Sequence, residues 1–429
     1  MGTSCLAANP RQVLRLLKNR LRWWIIGLVT LGTVLNYLAR STLSVAAPTL
    51  KTEFAMTTED YSWVVLAFQG AYTVMQSVSG TILDALGTRI GFGLFAVGWA
   101  LANMAHALAT GWHSLAVFRG LLGATEAAAI PAGTKAVSEW FPPRERPLAT
   151  GVFQMGTSVG SMIAPPLVAF CILYWGWQSA FVVTGSLSLV WAAIWWWGYR
   201  SPAEHRQLSA REREYIETGR ADDVGDKPAT RTQVLRSRSF WAIAIPRFLA
   251  EPAWQTFNFF IPLYLVAVWK LDLKSIALWA WLPFLAADFG SLVSGLLPAW
   301  LIRNGSSLLA SRKITMTSGA VCMVGPACIG LVGSPGLAIA LFCVGGFAHQ
   351  MLLGALLTLC SDMFDSRTVA TASGMAGTTA WIGGMLFTFL IGQSADTFGY
   401  NPLFASLAAL DLAGAAVLWT LLRASRLKL

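Results

Sequence analysis

"PLATGVFQMGTSVGSMIAPPLVAFCILYWGWQSAFVVTGSLSLVWAAIWWWGY", residues 147–199, contains no Asp, Glu, Lys or Arg. Roughly 20 apolar residues are enough for one helix to cross the hydrocarbon core of a bilayer, so this run must hold a pair of helices. The turn signal "YWGWQ" around Gly176 divides them. Two more uncharged runs, 314–361 and 368–395, repeat the pattern, and the first of these is again a pair. The chain is 55% hydrophobic and 12% charged, with 20 Trp, whereas a soluble domain carries roughly a quarter charged residues. These features define an integral membrane protein.

Outward from that run, "TGWHS", "GSPG", "FGYNP" and the charged links divide the rest of the chain. Helices are predicted near 24–47, 60–83, 90–109, 114–136, 147–172 and 177–198. Six more follow near 240–268, 276–301, 313–332, 336–360, 368–394 and 402–422. Segment 199–239, of mixed charge with Gly and Pro, suits a surface linker containing short helical pieces. The expected fold is all-α, with twelve transmembrane helices in two six-helix bundles, 23–198 and 240–422. A segment 1–22 precedes them and a tail 423–429 follows.

Lys and Arg in short loops are retained on the cytoplasmic side. Arg11, Arg15, Lys18, Arg20, Arg22, Arg89, Arg144, Arg146, the linker basics, Arg303, Arg312, Lys313, Arg367, Arg423, Arg426 and Lys428 fall in alternate loops and at both ends. Lys51, Lys270 and Lys274 fall on the opposite side. Both termini and the linker are therefore expected in the cytoplasm. The net charge of +10 follows from these membrane-edge residues, with no motif for reading nucleic acid.

The basic segment "RQVLRLLKNRLR" before an apolar run has the look of a signal peptide, but 23–47 exceeds an h-region and reads as an uncleaved first helix. "MGTSCL" has Leu6 where myristoylation requires Ser or Thr. The sequon Asn304–Gly305–Ser306 falls in a loop expected in the cytoplasm. The six Cys form no CxxC pair, the four His are unclustered, and neither a Walker A lysine motif nor HExxH is present. No enzyme chemistry, cofactor or metal is expected. Transport without a nucleotide site has to run on an ion or substrate gradient.

Charges inside the predicted spans then become the informative residues. Each costs roughly 2.5–3.5 kcal/mol at mid-membrane, so it faces a bundle interior or a wet cavity. They are Arg40, Arg119, Glu126, Arg247, Glu251, Asp288 and Asp411. Arg119 and Glu126 are seven apart, which stacks them on one helix face about 10 Å from each other. Arg40 is the third charge of this half, and a guanidinium is the natural fork for a carboxylate. With Glu126 ionised the three sum to +1, and protonation makes the sum +2. Protonating Glu126 thus strengthens anion binding, and linkage makes the reverse hold as well.

In the second half, "PRFLAEPAWQTFNFF" (246–260) places Arg247 and Glu251 one turn apart between two prolines, with Trp254, Gln255 and Asn258 continuing the polar face. Prolines loosen a helix where it lines a cavity. An aromatic face beside amides suits a sugar. His349 and Gln350 form a further polar pair at depth, and Tyr37 and Tyr72 carry hydroxyls that need partners. Gly156 and Gly160 have the spacing for close helix approach. Asp288 and Asp411 read as structural.

"SGTILDALGTRIG" (79–91) resembles the loop between helices 2 and 3 of the major facilitator superfamily, and Arg119 with Gly123 resembles its RxxxG element. More narrowly, "LGTVLNYLAR", "AYTVMQ", "EAAAIPAGTKAVSEWFPPRER", "PRFLAEPAWQTFNFFIPLY" and "GGFAHQ" resemble bacterial hexuronate transporters of the anion:cation symporter family, from about residue 22 onward. The resemblance implies a monomeric inner-membrane carrier that alternates its openings around a central site and moves a sugar-acid anion together with a proton. It implies that Arg40 and Arg119 meet the carboxylate, Tyr37 and Tyr72 line the pocket, and Glu126 carries the proton. Asp84, with Arg89 in the same loop, would gate the cytoplasmic side by anchoring to the facing bundle. Many relatives have Asp where this chain has Ala39, so a second proton would need another acid, with Glu251 the candidate.

Overall fold

The structure, a computed structural model, describes residues 21–142, 145–221, 231–364 and 369–422. Most of segment 1–22, the tail 423–429, Arg144 and Arg367 lie outside the described residues. The elements are helices: α1 (Leu21–Glu53), α2 (Thr58–Ala105), α3 (Trp112–Glu126), α4 (Ala129–Trp140), α5 (Arg146–Trp175) and α6 (Trp177–Gly198). After them come two short linker helices, α7 (Ala210–Ala221) and α8 (Arg231–Arg236). The second half holds α9 (Arg238–Trp269), α10 (Leu273–Trp279), α11 (Leu282–Arg303), α12 (Leu308–Cys322), α13 (Val324–Ala327), α14 (Pro335–Met363), α15 (Val369–Phe398) and α16 (Asn401–Leu421). Among the described residues, ten helical stretches are long and apolar enough to cross a membrane.

Several junctions differ from the sequence reading, each for a local reason. The predicted loop after residue 83 is a sharp bend inside α2 at Gly87, whose φ of 76° suits a residue without Cβ. The predicted single helix 114–136 is broken at Ala127–Ala128, directly after Glu126. Pro131 has no N–H for the Ala127 carbonyl, so the ladder fails there. Pro283 likewise separates α10 from α11 near the start of the next helix.

The first half is drawn together by glycines. A Cβ on Gly160 would lie 2.3 Å from the Val34 carbonyl, and one on Gly156 would lie 2.7 Å from that of Thr30. In lipid the association of helices depends on such close packing, since tails are as apolar as side chains. α7 of the linker docks on this half through buried Arg22, which pairs with Glu145 at 3.0 Å and Glu212 at 3.6 Å.

The two halves meet through α2 with α15, α1 with α9, and α5 with α10 and α11. Their contact is concentrated at the end where α2 begins. There the Thr58 backbone N–H donates to Asp396 at 2.8 Å, the Thr58 hydroxyl donates to the same carboxylate, and Gln393 donates to Glu59 at 2.7 Å. Deeper, the Tyr61 hydroxyl donates to the Phe259 carbonyl at 2.9 Å. The largest buried apolar cluster runs from the first half into Phe257, Phe259, Phe260 and Phe387 of the second. At the opposite end a second cluster, with Phe240, Met316, Leu356 and Leu418, contains residues of the second half and Val234 of linker helix α8, and none of the first half.

Candidate functional site

Arg40 projects from the middle of α1 and is 5% exposed. Its Nε donates to Glu126 Oε2 at 2.9 Å, so the acid at the end of α3 is tied to α1. Three aromatic rings surround the same guanidinium: Tyr37 at 4.4 Å, Tyr72 at 4.8 Å and Phe68 at 5.2 Å from its carbon. Such rings favour a cation without neutralising it. Tyr72 in turn stacks on Trp381 of α15, with centroids 4.5 Å apart, so the box around Arg40 includes the facing half.

Arg119 is fully buried, and its surroundings differ. One terminal nitrogen donates to the Arg40 carbonyl at 2.8 Å, while Phe68 lies 4.5 Å from the guanidinium carbon. Among the described residues its Nε and other terminal nitrogen have no hydrogen-bond partner, and no carboxylate lies within ion-pair distance. Glu126 Oε1 and one Arg40 nitrogen are also buried without partners. A buried, unpaired charge is among the costliest features a fold can carry. The cluster therefore has donors in excess and a net charge of +1 with the acid ionised.

In the second half, Arg247 and Glu251 are one turn apart but do not pair. Arg247 donates to the Ser373 carbonyl at 3.3 Å, and Glu251 accepts instead from Gln255 at 2.7 Å. Gln255 also faces Gln69 of α2 at 3.5 Å, and Gln69 donates to Thr388 of α15 at 3.1 Å. This amide chain links the halves on the α2-start side of Tyr72. Trp254 stacks on His349, with centroids 5.3 Å apart and planes 10° apart, so its ring faces the interior of its own half. Among the described residues, neither nitrogen of His349 has a hydrogen-bond partner. Asn258 donates to the Trp254 carbonyl at 2.8 Å, and Gln350 is half-buried on α14. Asp411 is buried with both oxygens unpartnered, away from this cluster's hydrogen bonds.

The expected gate residues stay within their own half. Asp84 pairs with Lys135 at 2.6 Å and keeps a side-chain exposure of 77%, while Arg89 donates to the Trp196 carbonyl at 2.9 Å. Neither is anchored to the facing bundle in this conformation, because the cross-half hydrogen bonds gather at the opposite end.

Sequence reasoning passed over four residues that the structure brings in. Asn36, one turn before Arg40, is fully buried with both amide ends unpartnered. Phe68 touches both guanidinium groups, Trp381 closes the aromatic box, and Lys135 holds Asp84. Asn36 had a signal, the helical spacing to Arg40. The two aromatic residues had none, since an apolar helix contains many such rings.

Two apolar helical halves around buried, incompletely neutralised charges have the make-up of a multi-pass membrane protein, and its family and relatives make it a transporter and not an enzyme. Residues 29–388 match the model of the Major Facilitator Superfamily, and the chain belongs to that superfamily. It is 52% identical over 407 residues to a hexuronate transporter of Escherichia coli (strain K12), covering 94% of both chains. It is 49% identical over 324 residues to a galacturonate transporter of Dickeya chrysanthemi, covering 75% of this chain and 94% of that one. Among solved structures, a bacterial homolog of the human lysosomal transporter Spinster, inward-facing and unoccupied, aligns at a TM-score of 0.72 and 18% identity. That alignment covers 94% of this chain and 96% of the other, and it establishes the shared fold.

Proposed function

We propose that this chain imports a hexuronate, galacturonate or glucuronate, together with a proton across the bacterial inner membrane. It does so as a twelve-helix monomer with cytoplasmic termini, by alternating access. The observation that carries this reading is Arg119, a fully buried guanidinium with two unpartnered nitrogens beside a second arginine. A carboxylate from a sugar acid supplies the missing acceptor, and the high identity to hexuronate carriers names the class.

Coupling follows from charge. Empty and deprotonated, Arg40, Arg119 and Glu126 sum to +1. Protonated and loaded with a monoanion they again sum to +1, whereas either ligand alone gives +2 or 0. The anion binds best to the protonated site, where the sum is +2 and Arg40 is free, and the bound anion in turn raises the proton affinity of Glu126, so proton and anion load together. Protonation of Glu126 also releases Arg40 from its 2.9 Å bond, freeing that fork for the substrate. With α2 taken to begin on the periplasmic side, the cross-half bonds of Thr58 and Glu59 with Asp396 and Gln393 support an inward-facing reading.

Uptake of labelled galacturonate, glucuronate and gluconate into proteoliposomes under an inward proton gradient tests the reading. The expected result is accumulation of at least one uronate that collapses with a protonophore. Uptake of gluconate in preference to both uronates moves the assignment to aldonates, and accumulation indifferent to the proton gradient rejects proton coupling.

A further inference from the structure

Asp288 lies in the apolar stretch of α11 and is half-buried. A carboxylate at bilayer depth faces a bundle interior or a wet cavity rather than lipid. Its neighbours show which way it points. Phe284, one turn earlier on α11, and Ser161 of α5 both line a void between the two halves. Asp288 shares the Phe284 face and Ser158 shares the Ser161 face, each at helical spacing. The Ser158 hydroxyl, on a residue 7% exposed, is hydrogen-bonded to the Asp288 carboxylate across the interface. Asp288 therefore points at the first half, one turn from that void toward the end away from the α2 start.

The glycines of α5 set the depth. A Cβ on Gly156 would touch Thr30, Thr33 and Val34 of α1, and one on Gly160 would touch Val34, Tyr37 and Leu38. Ser158 lies between those glycines, so it is level with Val34 to Tyr37. Helical side chains lean toward the N-terminus of their helix, and the Arg40 guanidinium carbon lies 4.4 Å from the Tyr37 ring. Asp288 and the Arg40 fork thus stand at one depth on opposite halves.

Their hydrogen-bonding needs are complementary. A carboxylate has two oxygens and about four lone-pair sites, and Ser158 uses one of them. Among the described residues, no cation pairs with Asp288. It is an acceptor without a salt bridge, facing arginine donors without enough anions. A sugar acid has the matching polarity, since its carboxylate accepts at one end and its hydroxyls donate at the other.

Resting on the reading that a uronate docks its carboxylate at Arg40 and Arg119, we propose that Asp288 accepts hydrogens from the hydroxyls of the sugar, with Ser158 holding its carboxylate in place. The carrier is thereby selective for hydroxylated acids over plain carboxylates. A site built to bond a hydroxyl rejects the analogue lacking it, because the acceptor is then left dry and unpaired.

The test is a cycle between ligand and protein, read as equilibrium binding to the purified full-length chain. Galacturonate is compared with its monodeoxy forms, each lacking one ring hydroxyl, on wild type and on Asp288→Ala. In the wild type at least one deoxy form is expected to bind tenfold or more weakly than galacturonate. In Asp288→Ala that ratio should fall to within twofold, while galacturonate itself binds about tenfold more weakly than to wild type. Asp288→Asn, which keeps the volume and one acceptor oxygen, should give an intermediate ratio. It carries the cycle where alanine fails to fold or binds too weakly to measure. A ratio as large in the variants as in the wild type overturns the proposal, because Asp288 would then act only in packing. So does a wild type indifferent to every deoxy form. A wild type that binds neither galacturonate nor glucuronate defeats the underlying reading instead, and this inference falls with it.

Discussion

Arg119 and Glu126 sit on one helix yet do different work, and the difference lies in what holds each. Glu126 is held by Arg40, so removing its charge should leave a site that still binds anions but no longer responds to protons. Glu126→Gln is expected to retain exchange of internal for external uronate and to lose gradient-driven accumulation, measured by counterflow and uptake in one vesicle preparation. Accumulation that survives the change places the proton elsewhere. Arg119 uses a planar fork, with one arm on the Arg40 carbonyl and the others open. Arg119→Lys keeps the charge but not the fork, and should weaken uronate binding by about tenfold or more, as read by equilibrium binding. Both residues were legible in the sequence because a formal charge in an apolar run stands out. Phe68 and Trp381 were not, because an apolar ring in such a run does not announce which way it faces, whereas Asn36 carried a signal in its spacing to Arg40 that was passed over.

At the level of elements, the sequence gives away spans and small-residue contacts but not breaks. GxxxG spacing marked α5 for a close helix approach, the structure makes α1 the partner, and a Cβ on Gly160 would lie 2.3 Å from the Val34 carbonyl, which leaves no room for any side chain. The interruption after Glu126 was hidden because Pro131 acts one turn upstream of itself, at Ala127. Asp84 was assigned to a gate from its motif, yet its partner Lys135 lies on α4 of the same half. The linker offers a testable element of its own. His205 accepts the Gln207 N–H at Nδ1 and packs edge-on against Trp140. Burial, and then the nearby Arg200, hold its imidazole below the ordinary histidine range. A depressed value means the neutral form belongs to the docked state, so its contribution is complete above about pH 6.5 and is lost as pH falls through the lowered value. Hydrogen-exchange protection at 201–209, corrected for the intrinsic slowing of exchange in acid, should fall between pH 7.5 and 5.5, and His205→Gln should remove that dependence. Equal protection at pH 7.5 and 5.5 would refute it.

The whole molecule is closed at one end by contacts that join its halves. Thr58 gives two hydrogens to the Asp396 carboxylate, and an amide in that place would keep only one acceptor. Asp396→Asn is expected to shift the population toward outward opening by about tenfold, the worth of roughly one charge-assisted hydrogen bond. Labelling of a cysteine at Thr388 by an impermeant thiol reagent from the periplasmic side, in a cysteine-free background, measures it. Unchanged labelling would show that the latch carries no weight. One proton per monoanion also predicts no substrate-driven current in proteoliposomes, and a sustained inward positive current would require a second acid. The ends are made of unlike materials. Opening the sealed one wets the phenylalanines and tyrosines that cross between halves, while closing the other brings groups such as Asp84 and Lys135 out of water. Exposing hydrocarbon and burying polar groups both raise heat capacity. The balance between the two openings should therefore curve with temperature, and chilling, which weakens the grip of hydrocarbon on itself, should drift the resting carrier toward the outside.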